Sequence, residues 1–364
     1  MKILIYLGHP AHFHLFRNTI VSLKNKGHEI NVLIKKKDIL ESLLLNSNIE
    51  YHNILPRGRK DNKAGIAWGM IKRDWRLLRF CISNRPNLLI GTSTEIGHVG
   101  TILNIPSINV NEDDWDVVPL YSKISYPWSK HILSPRVCNN GKWEGKSIKY
   151  EGYHELAYLH PDHFSPSKKV LEKYNIPDEP YFIIRFAKLK AHHDAGMRGI
   201  SDKLAMKIID LLQPHGKIYI TAERSMGDAF EPYRLNLDPL DIHHIMAFAS
   251  LYIGDSQTMA AEAGVLGTPF IRFNDFVGRI GYLNELENLY NLGYGILPDE
   301  PERLLDTITT LLTMANRHNE FEQRRREMLK EKINFAEFMT WLIERYPESI
   351  KKIKSDPDYQ YNFR

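Results

Sequence analysis

Cysteine is nearly absent: the 364 residues hold two, Cys81 and Cys138. Two thiols make no disulfide framework, and the expected compartment is a reducing cytoplasm. Long apolar runs are also lacking. The longest uncharged one, Ile245 to Ile253, falls far short of the roughly 18 residues that a membrane-spanning helix needs. The apolar run that opens the chain, Ile3 to Leu7, is too short for a signal-peptide core. Charge of one sign is scarce: 48 basic residues against 44 acidic ones leave +4, which gives no footing for nucleic acid as a partner. There is no short-period repeat and no low-complexity tract. Missing too is a G-x-G-x-x-G fingerprint after the first strand, which excludes a nicotinamide or flavin dehydrogenase.

What is present is an ordinary globular composition, 43% apolar and 25% charged, over a length that predicts two domains. Short apolar runs alternate with helical spacings. Ile3–Leu7 reads as a buried parallel strand, and Phe13, Phe16, Ile20 and Leu23 as one helix face. Gly27 closes that helix, and Glu29–Ile34 is a second strand. Further helices are expected over Asp38–Leu45 and Gly65–Cys81, the latter with Ile66, Met70, Trp75 and Leu78 inward. Strands are expected over Ile49–Ile54, Leu88–Ile90 and Ile105–Val110. The texture changes between Tyr150 and Ser167, where Gly152, Pro161 and Pro166 break every period. The alternation then restarts with strands at Tyr181–Phe186, Lys217–Thr221, Leu251–Ile253 and Phe270–Phe273. Its helices are Asp202–Leu212, His243–Ala249, Gln257–Leu266, Leu304–Ala315 and Phe321–Phe335. The expected fold class is α/β, with two Rossmann-like parallel-sheet domains facing a central cleft. Their bounds are 1–155 and 165–335, and 336–364 forms a C-terminal helix and a solvated tail.

Ligands of open α/β sheets bind beyond the carboxyl ends of the strands. The loop Gly8-His9-Pro10-Ala11-His12 sits at such an end, with His14 just inside the helix. A neutral imidazole there suits a general base that takes a proton from a sugar hydroxyl. A His-x-x-His-x-His metal set and a purely capping or packing role are the alternatives. Ile253 through Pro269 reads as strand, polar turn, helix, glycine stop and strand. Ser256, Gln257 and Thr258 open that helix, where free N–H groups suit a diphosphate. Glu262, one turn on among alanines, suits the two hydroxyls of a ribose. Simple capping by Ser256 and Thr258 is the plainer reading.

These segments carry a resemblance. Gly8 to His12, followed by Lys26-Gly27-His28-Glu29-Ile30, is similar to the opening of GT-B glycosyltransferases of the MurG type, with His12 fifteen residues before Gly27. Asp255 through Pro269 is similar to the diphosphate and ribose segment of UDP-N-acetylglucosamine 2-epimerases, with Gln257-Thr258 where those have two glycines. Together with Glu151-Gly152-Tyr153-His154-Glu155, Arg185 to Asp194 and Gly254 to Arg279, the whole chain resembles the domain-of-unknown-function family 354. The resemblance implies a nucleotide-sugar-dependent glycosyltransferase of surface glycan or glycoconjugate biosynthesis, inverting at the sugar. The nucleotide sugar is then a substrate, and neither a cofactor nor a metal is called for.

On this reading His12 is the catalytic base and His14 the fallback, with Gly8 and His9 beside the acceptor. Ser256, Gln257 and Thr258 hold the diphosphate and Glu262 the ribose. Arg185 clamps a phosphate, or else pairs with a carboxylate. His192 and His193 face the sugar, and Asp275 and Arg279 reach the donor sugar, or else form a loop ion pair. Two other classes stay open. One is a 2-epimerase-like enzyme, disfavoured because Thr92 and Asn111 stand where epimerases carry catalytic carboxylates, with Glu112 one place off. The other is a non-catalytic module that binds nucleotide sugars or glycans. The acceptor is expected to be a glycan or a lipid-linked sugar. Residues 57–85 carry nine basic side chains against Asp61 and Asp74, interleaved with Trp68, Trp75 and Phe80. That stretch reads either as a membrane-surface or anionic-acceptor patch, peripheral at the inner face of the membrane, or as a solvated helix face.

Overall fold

The computed structural model describes residues 1–37, 39–56, 63–187 and 198–364, leaving aside the side chains of residues 63, 64, 66 and 67. The described chain forms two compact units, Met1–Tyr158 with Ile333–Arg364, and Leu159–Lys332.

The first unit runs β1 (Lys2–Leu7), α1 (Pro10–Asn25), β2 (Glu29–Lys35), α2 (Leu40–Asn46), β3 (His52–Leu55), α3 (Lys63–Asn84), β4 (Leu88–Gly91), α4 (Thr94–Leu103), β5 (Ser107–Val110), α5 (Pro119–Ser125), β6 (His131–Pro135) and β7 (Ser147–Tyr150). The second runs α6 (Lys168–Lys173), β8 (Tyr181–Phe186), α7 (Asp202–Leu212), β9 (Lys217–Ala222), α8 (Ile242–Ala247), β10 (Leu251–Gly254), α9 (Gln257–Leu266), β11 (Phe270–Phe273), α10 (Gly281–Asn288), β12 (Gly293–Ile296), α11 (Pro301–Thr313) and α12 (Arg317–Glu331). The chain then returns to the first unit as α13 (Phe335–Glu344) and α14 (Glu348–Ser355).

Every strand pair in both sheets is parallel. The first sheet has the order β3-β2-β1-β4-β5-β6-β7 and the second β12-β11-β10-β8-β9. Strand order therefore reverses between β1 and β4 in one unit and between β8 and β10 in the other. Loops leaving such neighbours diverge and open a crevice at their carboxyl ends. The apolar runs that predicted strands are the central ones, as in a sheet covered on both faces: Ile3, Leu4, Ile5, Ile183, Ile184 and Ile253 are fully buried.

Two glycines are needed by their backbone. Gly27 takes φ +82° as α1 ends, and His28 N–H closes back onto Leu23 C=O at 3.1 Å. Gly91, at φ +156°, lies so close to β1 that a Cβ would stand 2.4 Å from the Tyr6 carbonyl oxygen. That close approach holds the mouth of the first crevice.

Three expectations need correction. In α3 the inward residues are Leu77 and Cys81 with Leu78 beside them, whereas Trp75 is 54% exposed. Arg73 disguised the period, because it occupies a core position where Glu95 of α4 neutralises it. The helix expected over Phe321–Phe335 breaks at Lys332–Asn334, where Asn334 accepts a hydrogen bond from Glu337 N at 3.2 Å and starts α13. The segment 336–364 is no frayed tail. Phe335 stacks on Tyr150 with ring centres 3.9 Å apart, and fully buried Gln360 accepts a hydrogen bond from Glu151 N at 2.7 Å.

Candidate active site

At the first switch point, His9 caps α1: it is extended, precedes Pro10, and its Nδ1 accepts from Ala11 N at 3.3 Å. This use of the ring is the capping role foreseen for one of the loop histidines. Gly8 N–H donates to His12 Nδ1 at 3.0 Å. Thr92, at the end of β4, places its Oγ1 2.5 Å from His12 Nδ1 and 2.8 Å from Nε2. His12 is thereby tied to both strands of the crevice. Burial, then the charges of His9, His154 and Lys35, hold its pKa well below the usual histidine value. It is neutral at physiological pH. His14 turns the other way and packs between Phe13 and Tyr158, with ring centres at 5.1 and 5.2 Å.

Three more polar groups of this unit belong to the same neighbourhood. Glu95 and Arg73 form a buried pair. Burial alone would raise the Glu95 pKa, and the Arg73 charge and hydrogen bond outweigh it and lower the value. Glu112, past β5, sets Oε2 3.3 Å from both Nδ1 and the backbone N of His154. Burial pushes His154 down to about 3, against the pull of Asp113. Asn111 braces its loop through Asp113 C=O and the Tyr126 hydroxyl at 2.9 and 2.8 Å.

At the second switch point, Ser256 caps α9, its Oγ accepting from Met259 N at 3.4 Å. Gln257 and Thr258 lie half-buried in the first turn, and the rest of α9 from Ala260 on is buried. Arg185 closes β8 and its guanidinium bonds Glu223, the ion pair foreseen as an alternative. Yet its Nε is buried with no partner among the described residues, and so is Oγ1 of Thr221, its register neighbour on β9. Asp255 accepts from Ala187 N at 2.6 Å and so joins the β8 and β10 loops. Burial raises the Asp255 pKa to about 6. Glu262 is no surface residue: it is 5% exposed, and Oε1 is 2.9 Å from His243 Nε2.

Asp275 is taken up by Arg198, through the backbone N at 2.6 Å and Nη2 at 2.9 Å, and this bonding lowers its pKa. Arg279 is exposed and lies over the Phe276 ring at 5.6 Å. His192 and His193 lie outside the described residues, as does Asp194. Among the described residues no three His, Cys, Asp or Glu side chains are arranged to hold a metal.

The family model described as protein of unknown function (DUF354) matches residues 1–276. The chain belongs to the DUF354 family. Solved structures align along nearly its whole length. UDP-GlcNAc 2-epimerase from Neisseria meningitidis bound to UDP-GlcNAc aligns at 14% identity over 97% of this chain and 100% of that one, with a TM-score of 0.65. S. aureus MnaA with UDP gives 14% identity, 96% and 98% coverage, and a TM-score of 0.70. The spinosyn rhamnosyltransferase SpnG with thymidine diphosphate gives 13% identity, 94% and 99% coverage, and 0.64. No protein of curated function matches. At these identities the likeness shows the fold: this DUF354 member has the two-domain, Rossmann-like GT-B architecture.

Sequence reasoning missed Thr92 as a partner of His12, and Thr221, His243 and the Glu112–His154 contact altogether. His154 carried a signal in the Tyr-His-Glu run. The others depend on register between strands far apart in sequence.

The basic stretch is only partly described, since residues 57–62 are outside the described set. Along α3, Trp68, Ile71, Trp75 and Ile82 are exposed by 53–59% on one stripe, with Lys72 over the Trp68 ring and Arg79 over that of Trp75. The only described carboxylate on the helix, Asp74, is bonded by His98. No described helix is long and apolar enough to cross a membrane.

Proposed function

We propose that this protein is a nucleotide-sugar-dependent glycosyltransferase, inverting, acting in surface glycan or glycoconjugate biosynthesis. The observation that carries the reading is the second switch point. There, partnerless buried donors of Arg185 and Thr221 converge with the N-terminus of α9. Buried polar atoms without partners are costly, and an anion that satisfies them explains their retention. The solved relatives with UDP, UDP-GlcNAc and thymidine diphosphate support a nucleoside diphosphate as that anion. Gln257 and Thr258 line its phosphates, and Glu262, oriented by His243, accepts the ribose hydroxyls. The diphosphate leaves with its charge met by the helix N-terminus and Arg185, donors set in advance for the charge that develops. The sugar passes to a hydroxyl of a glycan or lipid-linked acceptor at the first unit.

Transfer is favoured over epimerisation at C2 by the first switch point. Thr92 is an aliphatic hydroxyl and Asn111 a carboxamide engaged in its own loop, and neither exchanges protons at C2. The test is a panel of nucleotide sugars incubated in deuterated water with and without glycan acceptors. The expected result is release of nucleoside diphosphate with no deuterium at C2 of recovered donor. Deuterium at C2 without diphosphate release makes the protein an epimerase instead.

The tryptophan and cation stripe of α3 supports contact with an anionic membrane surface, where indole rings and cations both gain. Trp68→Ala with Trp75→Ala is expected to weaken sedimentation with vesicles containing phosphatidylglycerol by about tenfold, at unchanged melting temperature. Equal sedimentation of variant and wild type rejects the contact.

A further inference from the structure

Two histidines of the first unit stand near enough to lower each other's proton affinity, and their hydrogen bonds set them in opposite states. At His12 the partner of Nδ1 is a backbone N–H, that of Gly8 at 3.0 Å. A backbone amide only donates, so Nδ1 accepts and the ring proton sits on Nε2. In that tautomer His12 Nε2 is a donor, and it has no lone pair for a substrate proton.

At His154 the partner of Nδ1 is a carboxylate, Glu112 Oε2 at 3.3 Å. An ionised carboxylate only accepts, so Nδ1 carries the proton and Nε2 the lone pair. Nε2 is buried, with no hydrogen-bond partner among the described residues. Phe335 lies parallel to the ring, 8° between planes with centres 5.9 Å apart, and fixes its tilt. A carboxylate behind one nitrogen, a stacked ring that fixes the plane and a partnerless acceptor on the other nitrogen make a base held ready for a hydroxyl. His154 is neutral over the physiological range, so the lone pair is available.

We propose that His154, and not His12, takes the proton of the acceptor hydroxyl, with Glu112 as its positioning carboxylate. This rests on the transferase reading above. As the acceptor oxygen forms its bond to the anomeric carbon, its proton passes to His154 Nε2. The bond from that carbon to the diphosphate oxygen breaks, and its electron pair leaves with the nucleoside diphosphate. The imidazolium that forms faces the Glu112 carboxylate, with Asp113 near, and both stabilise it. His12 Nε2–H is left to donate, to Thr92 at rest or to a substrate oxygen.

The test uses the full chain labelled with 15N-histidine, its ring signals tied to backbone assignments. The expected wild-type spectrum shows His154 protonated at Nδ1 and His12 at Nε2. This reading needs no variant to fold. In parallel, diphosphate release is measured for the wild type, His154→Gln, Glu112→Gln and His12→Gln. His154→Gln is expected to lose about a hundredfold or more in turnover while its affinity for the nucleoside diphosphate stays within about twofold. Glu112→Gln and His12→Gln are each expected to lose about tenfold. A wild-type His154 protonated at Nε2 overturns the assignment. So does a folded His154→Gln variant within about threefold of wild-type turnover, which leaves the transferase reading standing. A wild type that releases no diphosphate from any nucleotide sugar removes both together.

Discussion

Glu287→Ala is expected to destabilise the second unit by about 3–5 kcal/mol. The cause is Arg272, a fully buried residue in the middle of β11. Its Nε and Nη2 donate to Glu287 Oε1 and Oε2 at 2.9 and 3.2 Å, a two-pronged bond from strand to helix α10. Glu287 has its place because position 295 is glycine, where a Cβ would stand 2.5 Å from Oε2. Removing the carboxylate strands a guanidinium in an apolar sheet, and neither water nor another carboxylate replaces it. Replacing both members, Arg272→Met with Glu287→Leu, is expected to recover most of the loss, because no unpaired charge remains. Urea unfolding of the three proteins, followed through tyrosine and tryptophan signals, checks this. A single variant within about 1 kcal/mol of wild type contradicts it.

Thr258→Glu is expected to separate stability from binding. Thr258 is in the first turn of α9, which has no acidic residue there. A carboxylate at a helix N-terminus gains a few tenths to about 1 kcal/mol from the unpaired N–H groups, so the melting temperature should hold or rise slightly. The same carboxylate occupies the place assigned to the donor's diphosphate. Juxtaposed like charges cost several kcal/mol, so affinity for a nucleoside diphosphate should fall by about a hundredfold or more. Thermal unfolding and calorimetry on the one variant give both halves. A stable variant that keeps wild-type affinity removes the diphosphate from this helix.

Much of the fold was legible because its central strands are short apolar runs with polar ends. Tyr181–Phe186 and Phe270–Phe273 are the observed β8 and β11, and Asp202–Leu212 and Gln257–Leu266 are the observed α7 and α9. What failed did so where one residue obeyed a distant partner. Arg73 broke the apolar period of α3 because Glu95 pays for its burial. Strands β6 and β7, His-Ile-Leu-Ser-Pro and Ser-Ile-Lys-Tyr, carry too few apolar residues to be read without the sheet edge they extend. Of the site, the helix opening at Ser256 and the burial of Glu262 were readable from the alanines around them. The His243 contact was not, because it joins α8 to α9. The loop histidines were visible as a group, but their division of labour was not. His9 caps, His12 accepts from Gly8, and His14 packs against Tyr158, and each role depends on backbone direction at the end of β1.

The central claim is that the second unit holds a nucleoside diphosphate at the N-terminus of α9, with Glu262 on the ribose. Its most direct measurement is a calorimetric titration of UDP, TDP, GDP, ADP and CDP into the full chain and into Glu262→Ala. The expected result is that one of them binds the wild type with a stoichiometry of about one and raises its melting temperature, as a ligand of the folded state must. Glu262→Ala should lose about tenfold or more of that affinity. If none of the five gives heat or a melting shift with folded protein, the chain keeps the GT-B architecture but not the donor site argued for it.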